Sequence, residues 1–507
     1  MNYVVTGAQM KQIDRDTIER IGIPSMVLME RAALAVAEAA EERAAQAGGR
    51  RILAVCGTGN NGADGIAAGR ILKGRGYDVT VLLTGDPEHA TAEHRAQQAI
   101  AEQLEVPVVQ ADDFVFGDYD VILDALFGIG LSREIAGTCK ELMVLLTEQY
   151  QKRGVRVVAV DIPSGIQADT GAVMGIALQA DVTVTFGYRK TGLLLFPGRS
   201  CAGRLVVADI GFSDVSVKRS GWDGMVLGAE DRKVLPARQM DGNKGTFGKV
   251  LVIAGSRGMS GAAYLSALAA CRTGAGLVKI LTVSENREIL QNLLPEAIVA
   301  VYDPETLAET AEFRTLLEEQ CDWADAIVLG PGLGQESYVE YMVEAVLSHA
   351  YVPIVLDADG LNSVAAHPYL TQYFTENVIV TPHMGEMARL CATTVSELKQ
   401  DPVHAAREYS GRYRVVCVLK DAATVIADKD GTLYVNASGC SAMAKGGSGD
   451  VLSGVIAGLL ARGMEYTDAA AYGVYLHGVA GEAAAKEYGE NGVLARDIAN
   501  AIEGDQR

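Results

Sequence analysis

Short apolar segments that end in glycine or in an acidic residue recur along this chain of 507 residues. Helical patterns separate several of them, and the order strand, glycine turn, helix predicts βαβ units with parallel strands. A chain of this length exceeds one ordinary domain. We therefore predict an α/β protein of two doubly wound domains, with strands at residues 50–55, 79–83, 121–123, 155–160, 181–186 and 204–208 in the first half and 249–253, 326–329, 353–356, 378–380 and 415–419 in the second.

A change in composition predicts the boundary between these domains. Residues 211–223 are polar and poor in strand-forming residues, and the chain then begins again with a glycine-containing turn and a strand. We place the boundary near residues 215–225, which divides the chain into residues 1–220 and 221–507.

A glycine-rich stretch near the carboxyl terminus predicts an anion site. Gly446, Gly447 and Gly449 precede Asp450 and an apolar helical pattern at residues 451–460. Glycines allow backbone N–H groups to point one way, and the start of a helix favours negative charge. Asp450 would repel a bound phosphate unless it accepts a proton from a hydroxyl that attacks phosphorus. The alternative is a glycine turn followed by a helix-capping aspartate.

The first half carries polar side chains after three predicted strands. Asn61 follows the first strand in a glycine-rich loop, and a helix is predicted from residue 66; Asp124, Asp161 and Ser164 follow two others. The loop has neither the full dinucleotide fingerprint nor a Walker lysine. Because the carboxyl ends of parallel strands meet at one edge, we expect these four residues to share a crevice. They suit an alkali or alkaline-earth cation, with one aspartate left for proton transfer; alternatively, both aspartates cap loops.

Two strand ends in the second half carry basic groups. His383 lies between a proline and a glycine-containing turn, and Lys420 precedes a predicted hairpin at residues 424–427 and 432–435. His383 is a candidate substrate contact or a hydrogen-bonded structural residue. Lys420 is a candidate phosphate contact or a solvated lysine at a strand end.

Charge and cysteine usage exclude several classes of protein. The net charge is −20 and no basic stripe is present, so nucleic acid and anionic membranes are not expected partners. No segment approaches the ~18 apolar residues of a membrane span, and the amino terminus is too polar for a signal peptide.

The eight cysteines include no C-x-x-C pair. They predict free thiols in a reducing compartment, the cytoplasm.

The whole chain resembles the bifunctional NAD(P)H-hydrate repair enzymes, in which an epimerase is fused to an ADP-dependent dehydratase of the ribokinase-like superfamily. The resemblance implies a Rossmann-like α/β/α amino-terminal domain and a ribokinase-like α/β carboxyl-terminal domain. Matching motifs occur in the same order along nearly the whole chain, at residues 9–14, 22–24, 29–31, 60–65, 124–131, 161–165, 243–245, 330–334, 381–386, 420–424 and 446–450.

In the first domain the resemblance implies potassium bound by Asn61, Asp124 and Ser164, with Asp161 as the catalytic acid and base. It implies that the hydrated nicotinamide dinucleotide is held by two segments, namely Asn60, Asn61, Gly62, Ala63 and Asp64, and then Gly128, Ile129, Gly130, Leu131, Ser132, Arg133 and Glu134.

In the second domain the resemblance implies Asp450 as the catalytic base and substrate contacts from Ala262, Gly334 and His383. Magnesium and ADP are implied cofactor and co-substrate. The implied ADP contacts are Lys420, Asp421, Ala422, Ala423, Thr424, Gly446, Gly447, Ser448 and Gly449.

Four positions depart from the family pattern. Ala63 and Asp421 replace glycines, and Cys440 and Lys445 replace the more usual Asn and Thr. Ala63 crowds its loop if that position needs a positive φ. Asp421 brings negative charge towards the nucleotide, and the other two positions bear on affinity or nucleotide choice.

The implied activity is repair of hydrated NADH and NADPH. The first domain interconverts the R and S hydrates, and the second dehydrates the S form with conversion of ADP to AMP and phosphate. We also expect a homo-oligomer, a tetramer or larger. One alternative is a small-molecule kinase whose product keeps its phosphate. Another is an amino-terminal domain that serves as a non-catalytic binding or dimerisation module.

Overall fold

The computed structural model describes residues 2–222, 224–234, 240–307 and 310–502. The chain forms two compact units, one from Tyr3 to Gly224 and one from Met225 onward that also includes Asn2. Within the described ranges, no helix has the length and apolar character needed to cross a bilayer.

The amino-terminal unit is built on a seven-stranded parallel sheet. The strand order reverses between Arg51–Cys56 and Val121–Ala125, which is where ligands bind in doubly wound sheets. Val4 and Val5 pair separately with Arg189 and Lys190. From one edge to the other, the sheet strands are Val108–Gln110, Asp78–Leu83, Arg51–Cys56, Val121–Ala125, Arg156–Val160, Val182–Phe186 and Arg204–Ala208.

Helices cover both faces of this sheet because its strands are apolar on both sides. In the strand Arg51–Cys56, Ile52 and Ala54 join the core beneath one helical layer, and Leu53 and Val55 join the core beneath the other. The helices of this unit are Gly7–Arg15, Ser25–Ala47, Asn60–Gly74, Ala92–Gln103, Gly137–Arg153, Gly198–Ala202 and Asp214–Arg219, with a π-helical turn at Asp16–Ile21.

The carboxyl-terminal unit contains a second, mostly parallel sheet that includes an antiparallel hairpin. The predicted hairpin is confirmed at Val425–Ala427 and Leu433–Val435. In spatial order the strands are Ile298–Tyr302, Leu277–Val283, Lys249–Ile253, Ala326–Leu329, Ile354–Leu356, Val378–Val380, Val416–Leu419, Val425–Ala427 and Leu433–Val435.

Helices pack around this second sheet, and Ser260–Arg272 lies against Ser448–Ala461. Gly454 makes that packing close, since a Cβ at this position would lie 2.1 Å from the Ser266 carbonyl oxygen. The helices of this unit are Ser260–Arg272, Arg287–Leu293, Pro304–Leu307, Ala311–Trp323, Ser337–His349, Asp359–Ala366, Met384–Leu390, Val395–Leu398, Pro402–Tyr413, Ser448–Ala461, Tyr466–Tyr488 and Ala495–Asn500.

The predicted loop at residues 60–65 is wrong, because the helix begins at Asn60 rather than at residue 66. The early start depends on Gly62, where a Cβ would lie 1.8 Å from the Gly57 carbonyl oxygen. Ala63 is buried in the helical backbone and is not among the residues with positive φ. The expected crowding at Ala63 therefore does not arise.

Other element boundaries also differ from the predictions. Asp124 lies inside its strand rather than after it, and the helix that carries Asp450 begins at Ser448 rather than at residue 451. Six further strands were not predicted, and most of them are short or only partly buried, so their hydrophobic pattern is weak. They are Asn2–Val5, Val108–Gln110, Arg189–Lys190, Gly224–Val226, Leu277–Val283 and Ile298–Tyr302.

Substitution of Gly62 by alanine should disrupt the start of the helix Asn60–Gly74. The added methyl group must displace backbone, which typically costs about 1–3 kcal/mol. Gly59→Ala is the matched control, since the space around Gly59 is open and its φ is −86°. Thermal unfolding should show a lower Tm for Gly62→Ala and a nearly unchanged Tm for Gly59→Ala. Equal Tm values for the two variants would contradict the close approach.

Candidate active sites

A cavity of about 590 Å³ lies at the carboxyl ends of the central strands of the amino-terminal unit. It receives residues that follow Arg51–Cys56, Val121–Ala125 and Arg156–Val160. The predicted residues among its lining are Asn60, Asn61, Asp64, Gly128, Ile129, Gly130, Leu131, Ser132, Arg133 and Asp161. Gly62, Ala63 and Glu134 are not among its lining residues.

Asp161 is fixed at the edge of this cavity by a buried ion pair. Its Oδ1 accepts hydrogen bonds from Lys190 Nζ at 2.5 Å, Thr185 Oγ1 at 3.1 Å and Phe186 N at 3.1 Å. The Lys190 side chain is fully buried. Asp161 itself has a φ of +66°, a strained conformation for a residue with a side chain. These three contacts leave Oδ2 as the carboxylate oxygen available to a ligand.

Two further aspartates beside Asp161 hold protons more tightly than usual. Burial raises the pKa of Asp64 well above its ordinary value, and the charges of Asp161 and Asp14 raise it further. Burial, followed by the charges of Glu93 and Asp161, also raises the pKa of Asp14. The cavity therefore offers carboxyl groups that favour the protonated form beside one that is paired with a lysine.

The predicted cation ligands lie together next to this cavity. The Asp124 carboxylate accepts hydrogen bonds from Ser164 N at 2.7 Å and from Ser164 Oγ at 2.5 Å, and all these atoms are buried. Phe127 N donates to Ser164 Oγ at 3.0 Å. Asn61 Oδ1 lies 3.1 Å from the place where a Cβ at Gly128 would stand. Burial raises the pKa of Asp124 to about 6.

The second site forms around Asp450 in the carboxyl-terminal unit. Gly447 has a φ of +92° and caps the helix Ser448–Ala461, so Asp450 falls in its first turn. Lys420 Nζ donates to Asp357 Oδ1 at 2.7 Å, and Ser453 Oγ donates to Asp357 Oδ2 at 2.6 Å. A Cβ at Gly449 would lie 3.2 Å from Lys420 Nζ. The predicted glycine loop and the predicted lysine are therefore adjacent.

Negative charge accumulates around this lysine. Burial raises the pKa of Asp450 to about 6, and the charge of Asp357 contributes in the same direction, against the opposing charge of Lys420. Burial also raises the pKa of Glu386. Although burial alone would lower the pKa of Lys420, the carboxylates of Asp357 and Glu386 hold it above its ordinary value. Asp450 is thus a stronger base than an exposed aspartate.

The position of His383 allows both of its predicted roles, a structural hydrogen-bonding role and a substrate contact. Its Nδ1 accepts hydrogen bonds from Gly385 N at 2.9 Å and Glu386 N at 3.2 Å, which caps the helix Met384–Leu390. Backbone pairing with Lys420 places it beside the lysine. Its Nε2 lies 3.4 Å from Glu386 Oε1, and just over half of the side chain is exposed, so a substrate can reach the ring.

The remaining predicted contacts surround this group. Ala262 touches the turn at Gly332, and Gly334 N donates to Asp359 Oδ2 at 2.9 Å. Residues 421–424 form the turn after Lys420, where the Asp421 carboxylate lies 4.0 Å from Lys399 Nζ. That lysine offsets part of the negative charge that Asp421 introduces.

The two other departures from the family pattern make local contacts. Cys440 Sγ lies 3.7 Å from the Gly481 carbonyl oxygen, and Lys445 Nζ donates to the Asn491 carbonyl oxygen at 3.3 Å. Neither contact explains a difference in nucleotide choice.

Sequence reasoning missed several residues of both sites. Lys190 had one available signal, since it follows Arg189 between two mostly apolar runs. Asp357 was visible as an acid at a strand end, but its partner Lys420 is distant in sequence. His477 lies on a later helix, where its Nε2 is 3.3 Å from Ser448 Oγ and burial lowers its pKa to about 4. It is therefore neutral at physiological pH.

Removal of the Lys190 amine should destabilise the amino-terminal unit. Lys190→Met leaves the Asp161 carboxylate with less compensation, and removal of one partner of a buried pair costs about 3–5 kcal/mol. Lys152→Met is the control, because Lys152 forms an exposed pair with Glu148 worth about 0.5 kcal/mol. Denaturant unfolding of the full chain measures both. The Asp161→Asn/Lys190→Met double variant should recover stability, and no recovery would show that Lys190 acts independently of Asp161.

Comparison with known proteins identifies both halves of the chain. A family model described as NAD(P)H-hydrate dehydratase matches residues 250–503, and one described as YjeF-related protein N-terminus matches residues 25–192. Among solved structures, the chain is similar to a dehydratase from Bacillus subtilis that is described as an ADP/ATP-dependent NAD(P)H-hydrate dehydratase co-crystallised with ATP and Mg²⁺. The match covers 54% of this chain and 93% of that one, with 33% identity and a TM-score of 0.46.

Full-length relatives extend this likeness over both units. The bifunctional NAD(P)H-hydrate repair enzyme of Moorella thermoacetica is 38% identical over 98% of this chain and 95% of its own length. The enzyme of the same name from Escherichia coli is 34% identical over 97% of this chain and 91% of its own length. The family matches confirm the predicted two-domain α/β fold class. This chain belongs to the family of bifunctional NAD(P)H-hydrate repair enzymes.

Proposed function

We propose that the amino-terminal cavity epimerises hydrated NADH and NADPH and that the site around Asp450 dehydrates the S epimer at the expense of ADP. The observation that carries this division is the different treatment of two aspartates. Asp161 is paired with Lys190, whereas Lys420, the lysine nearest the second site, donates to Asp357, and Asp450 lies in the first turn of a helix whose start favours anions. The first arrangement suits acid and base exchange, and the second suits a base for phosphoryl transfer.

In the epimerase site, Asp161 assists loss and return of the hydroxyl at C6 of the reduced nicotinamide ring. The hydroxyl leaves as water after it gains a proton, and the lone pair of the ring nitrogen stabilises the resulting cation. Water then adds to either face and returns a proton to the carboxylate. Asp161 Oδ2 lacks the three donors that hold Oδ1, so it is the oxygen we assign to this exchange.

The donor set beside the cavity fits potassium. Asp124 is buried with only uncharged hydrogen-bond donors as close partners, and Asn61 places its side-chain oxygen beside Gly128 at the cavity. Carboxylate, hydroxyl and amide oxygens suit a hard cation. We assign Asp124, Ser164 and Asn61 as its ligands. A bound potassium ion supplies the positive charge that the Asp124 carboxylate lacks.

In the dehydratase site, Asp450 removes the proton from the C6 hydroxyl as that oxygen attacks the terminal phosphorus of ADP. AMP leaves, and the phosphorylated carbon then loses inorganic phosphate with help from the lone pair of the ring nitrogen. Loss of a proton from C5 restores the dihydronicotinamide. N–H groups at the start of the helix Ser448–Ala461 and the Lys420 ammonium stabilise charge on the transferring phosphoryl group.

The charge balance of this site also fits magnesium. Asp357, Glu386 and Asp450 act on Lys420, and after burial the charges of Asp357, Asp359 and Glu386 raise the pKa of Asp450. Mg²⁺ in such sites is held mostly by phosphate oxygens with one or two carboxylates. Glu386, whose Oε2 accepts from His383 N at 2.8 Å and whose charge acts on Lys420, would offer its Oε1 as the protein contact. When bound, magnesium supplies positive charge to the phosphoryl oxygens.

The wider setting of the protein follows from the same proposal. All eight cysteines are free thiols, which supports a reducing compartment, the cytoplasm. The homo-oligomer expected from the sequence stays a prediction.

An epimer mixture of hydrated NADH separates the two activities. With ADP, magnesium and potassium, the wild type should restore the whole near-ultraviolet absorbance of the dihydronicotinamide. Asp161→Asn should restore only the part due to the S epimer and the slow spontaneous exchange, and Asp450→Asn should restore none. Replacement of potassium by choline should slow only the R-epimer phase.

Other results of that assay would overturn the assignments. Consumption of nucleotide without recovery of absorbance, in favour of a phosphorylated alcohol, would establish a kinase instead. An unchanged R-epimer phase in Asp161→Asn would remove the catalytic role of Asp161, and an active Asp450→Asn variant would remove that of Asp450.

The fall of kcat/KM for dehydration at acidic pH should reflect protonation of Asp450. Since the base must be ionised and burial raises its pKa, kcat/KM should fall below a midpoint of about 6 rather than near 3.8. Asp357→Asn removes a charge that raises this pKa, so its midpoint should move to lower pH. The pH profile of kcat/KM with the S hydrate measures both midpoints. A midpoint that does not respond to Asp357→Asn would point to another titrating group.

A further inference from the structure

A second cavity of about 670 Å³ lies in the carboxyl-terminal unit and has no part in the chemical steps above. Gly334 and the helices Ser337–His349 and Asp359–Ala366 contribute to its lining, and Arg389 lies at its wall. Asp359 connects it to the reaction centre, because this residue lines the cavity and its charge acts on Asp450. The volume is that of a site for a substantial organic ligand.

Arg389 presents an unpaired positive charge to this cavity. Its Nε and Nη2 donate to Asn362 Oδ1 at 3.2 and 2.8 Å, and Asn362 Nδ2 in turn donates to Asp359 Oδ1 at 3.1 Å. In the described part of the chain, no carboxylate lies within ion-pair distance of Arg389. A guanidinium held by a neutral amide in a chain of net charge −20 is suited to an anionic ligand.

Two further donors at the cavity point to the same kind of ligand. Ser363 lines it, and its Oγ is buried without a hydrogen-bond partner among the described residues. The helix Ser337–His349 begins at the cavity wall, and its N-cap residue Glu336 makes no side-chain cap. Three acids also line the cavity, Glu336, Glu340 and Asp359. Glu340 is engaged by Tyr369 and lies 3.1 Å from His367 Nδ1, and both oxygens of Asp359 accept hydrogen bonds from Gly334 N and Asn362 Nδ2.

The closeness of Arg389 to His383 indicates which part of the substrate reaches Arg389. A Cβ at Gly385 would lie 2.9 Å from His383 Cε1 and 3.9 Å from Arg389 Nη1, so the two side chains flank one residue. In a nicotinamide dinucleotide, the pyrophosphate is one ribose away from the ring, whereas the 2′-phosphate of NADPH is on the far ribose. With the ring near His383, the nearer anion is the pyrophosphate.

We propose that this cavity binds the pyrophosphate and adenosine part of the hydrated dinucleotide, with Arg389 in contact with the pyrophosphate. The inference rests on the proposed function, because it extends the substrate from the reaction centre. Arg389 is a binding residue common to hydrated NADH and hydrated NADPH, and it takes no part in nucleotide binding or proton transfer.

Steady-state kinetics of the full chain test this assignment. Arg389→Gln should raise the KM of both S hydrates about tenfold, the size of one charge-assisted hydrogen bond, and leave kcat and the KM of ADP within about twofold. Arg389→Lys, which keeps the charge, should recover part of the loss. Hydrated reduced nicotinamide riboside has no phosphate, so the wild type and Arg389→Gln should process it equally. Arg412→Gln, on the exposed surface of another helix, is the matched control.

Each contrary outcome has a distinct meaning. An unchanged KM for both hydrates, or an equal loss with the riboside, would overturn the subsite and leave Arg389 a structural role. A raised KM for ADP alone would assign the cavity to the nucleotide, and an effect on hydrated NADPH alone would assign Arg389 to the 2′-phosphate. Failure of the wild type to dehydrate any hydrate would overturn the proposed function and the subsite together.

Discussion

Parallel strand pairing is the constraint on which both sites depend. In each unit, adjacent parallel strands end at the same edge of the sheet, where the ladder of hydrogen bonds stops and side chains from distant segments meet. Asp124 and Asp161 lie at two neighbouring strand ends of the amino-terminal sheet. His383 and Lys420 lie at two neighbouring strand ends of the other sheet and pair through their backbones. The same topology thus assembles two different chemistries.

Each unit also contains an aspartate and lysine pair at this edge, but the two pairs differ in use. In the amino-terminal unit, Lys190 holds the aspartate assigned to catalysis, so the charge of that residue is compensated. In the carboxyl-terminal unit, Lys420 is bound to Asp357, and the catalytic assignment goes to Asp450, whose pKa burial raises to about 6. The ion pair compensates the charge of Asp161, whereas burial makes Asp450 a stronger proton acceptor.

Close backbone approach explains why some glycines matter more than others. Gly62 permits the helix Asn60–Gly74 to begin against Gly57, whereas the neighbouring Ala63 has room in a buried helical position. The family departure at residue 63 therefore carries no visible structural cost. The sequence pattern alone placed these two positions in one loop, because glycines there indicate a turn as readily as a helix start.

The amino-acid sequence by itself determined the α/β class, the central strands of both sheets and the positions of Asp161, His383, Lys420 and Asp450, because apolar periodicity and strand-end residues are local signals. It did not determine where Lys190, Asp357 and Arg389 act. The partners of these residues lie in other strands or helices, and a carboxylate or guanidinium acquires its role only from the burial and charges around it. Only the tertiary structure decided which aspartate each lysine neutralises and which cavity Arg389 faces.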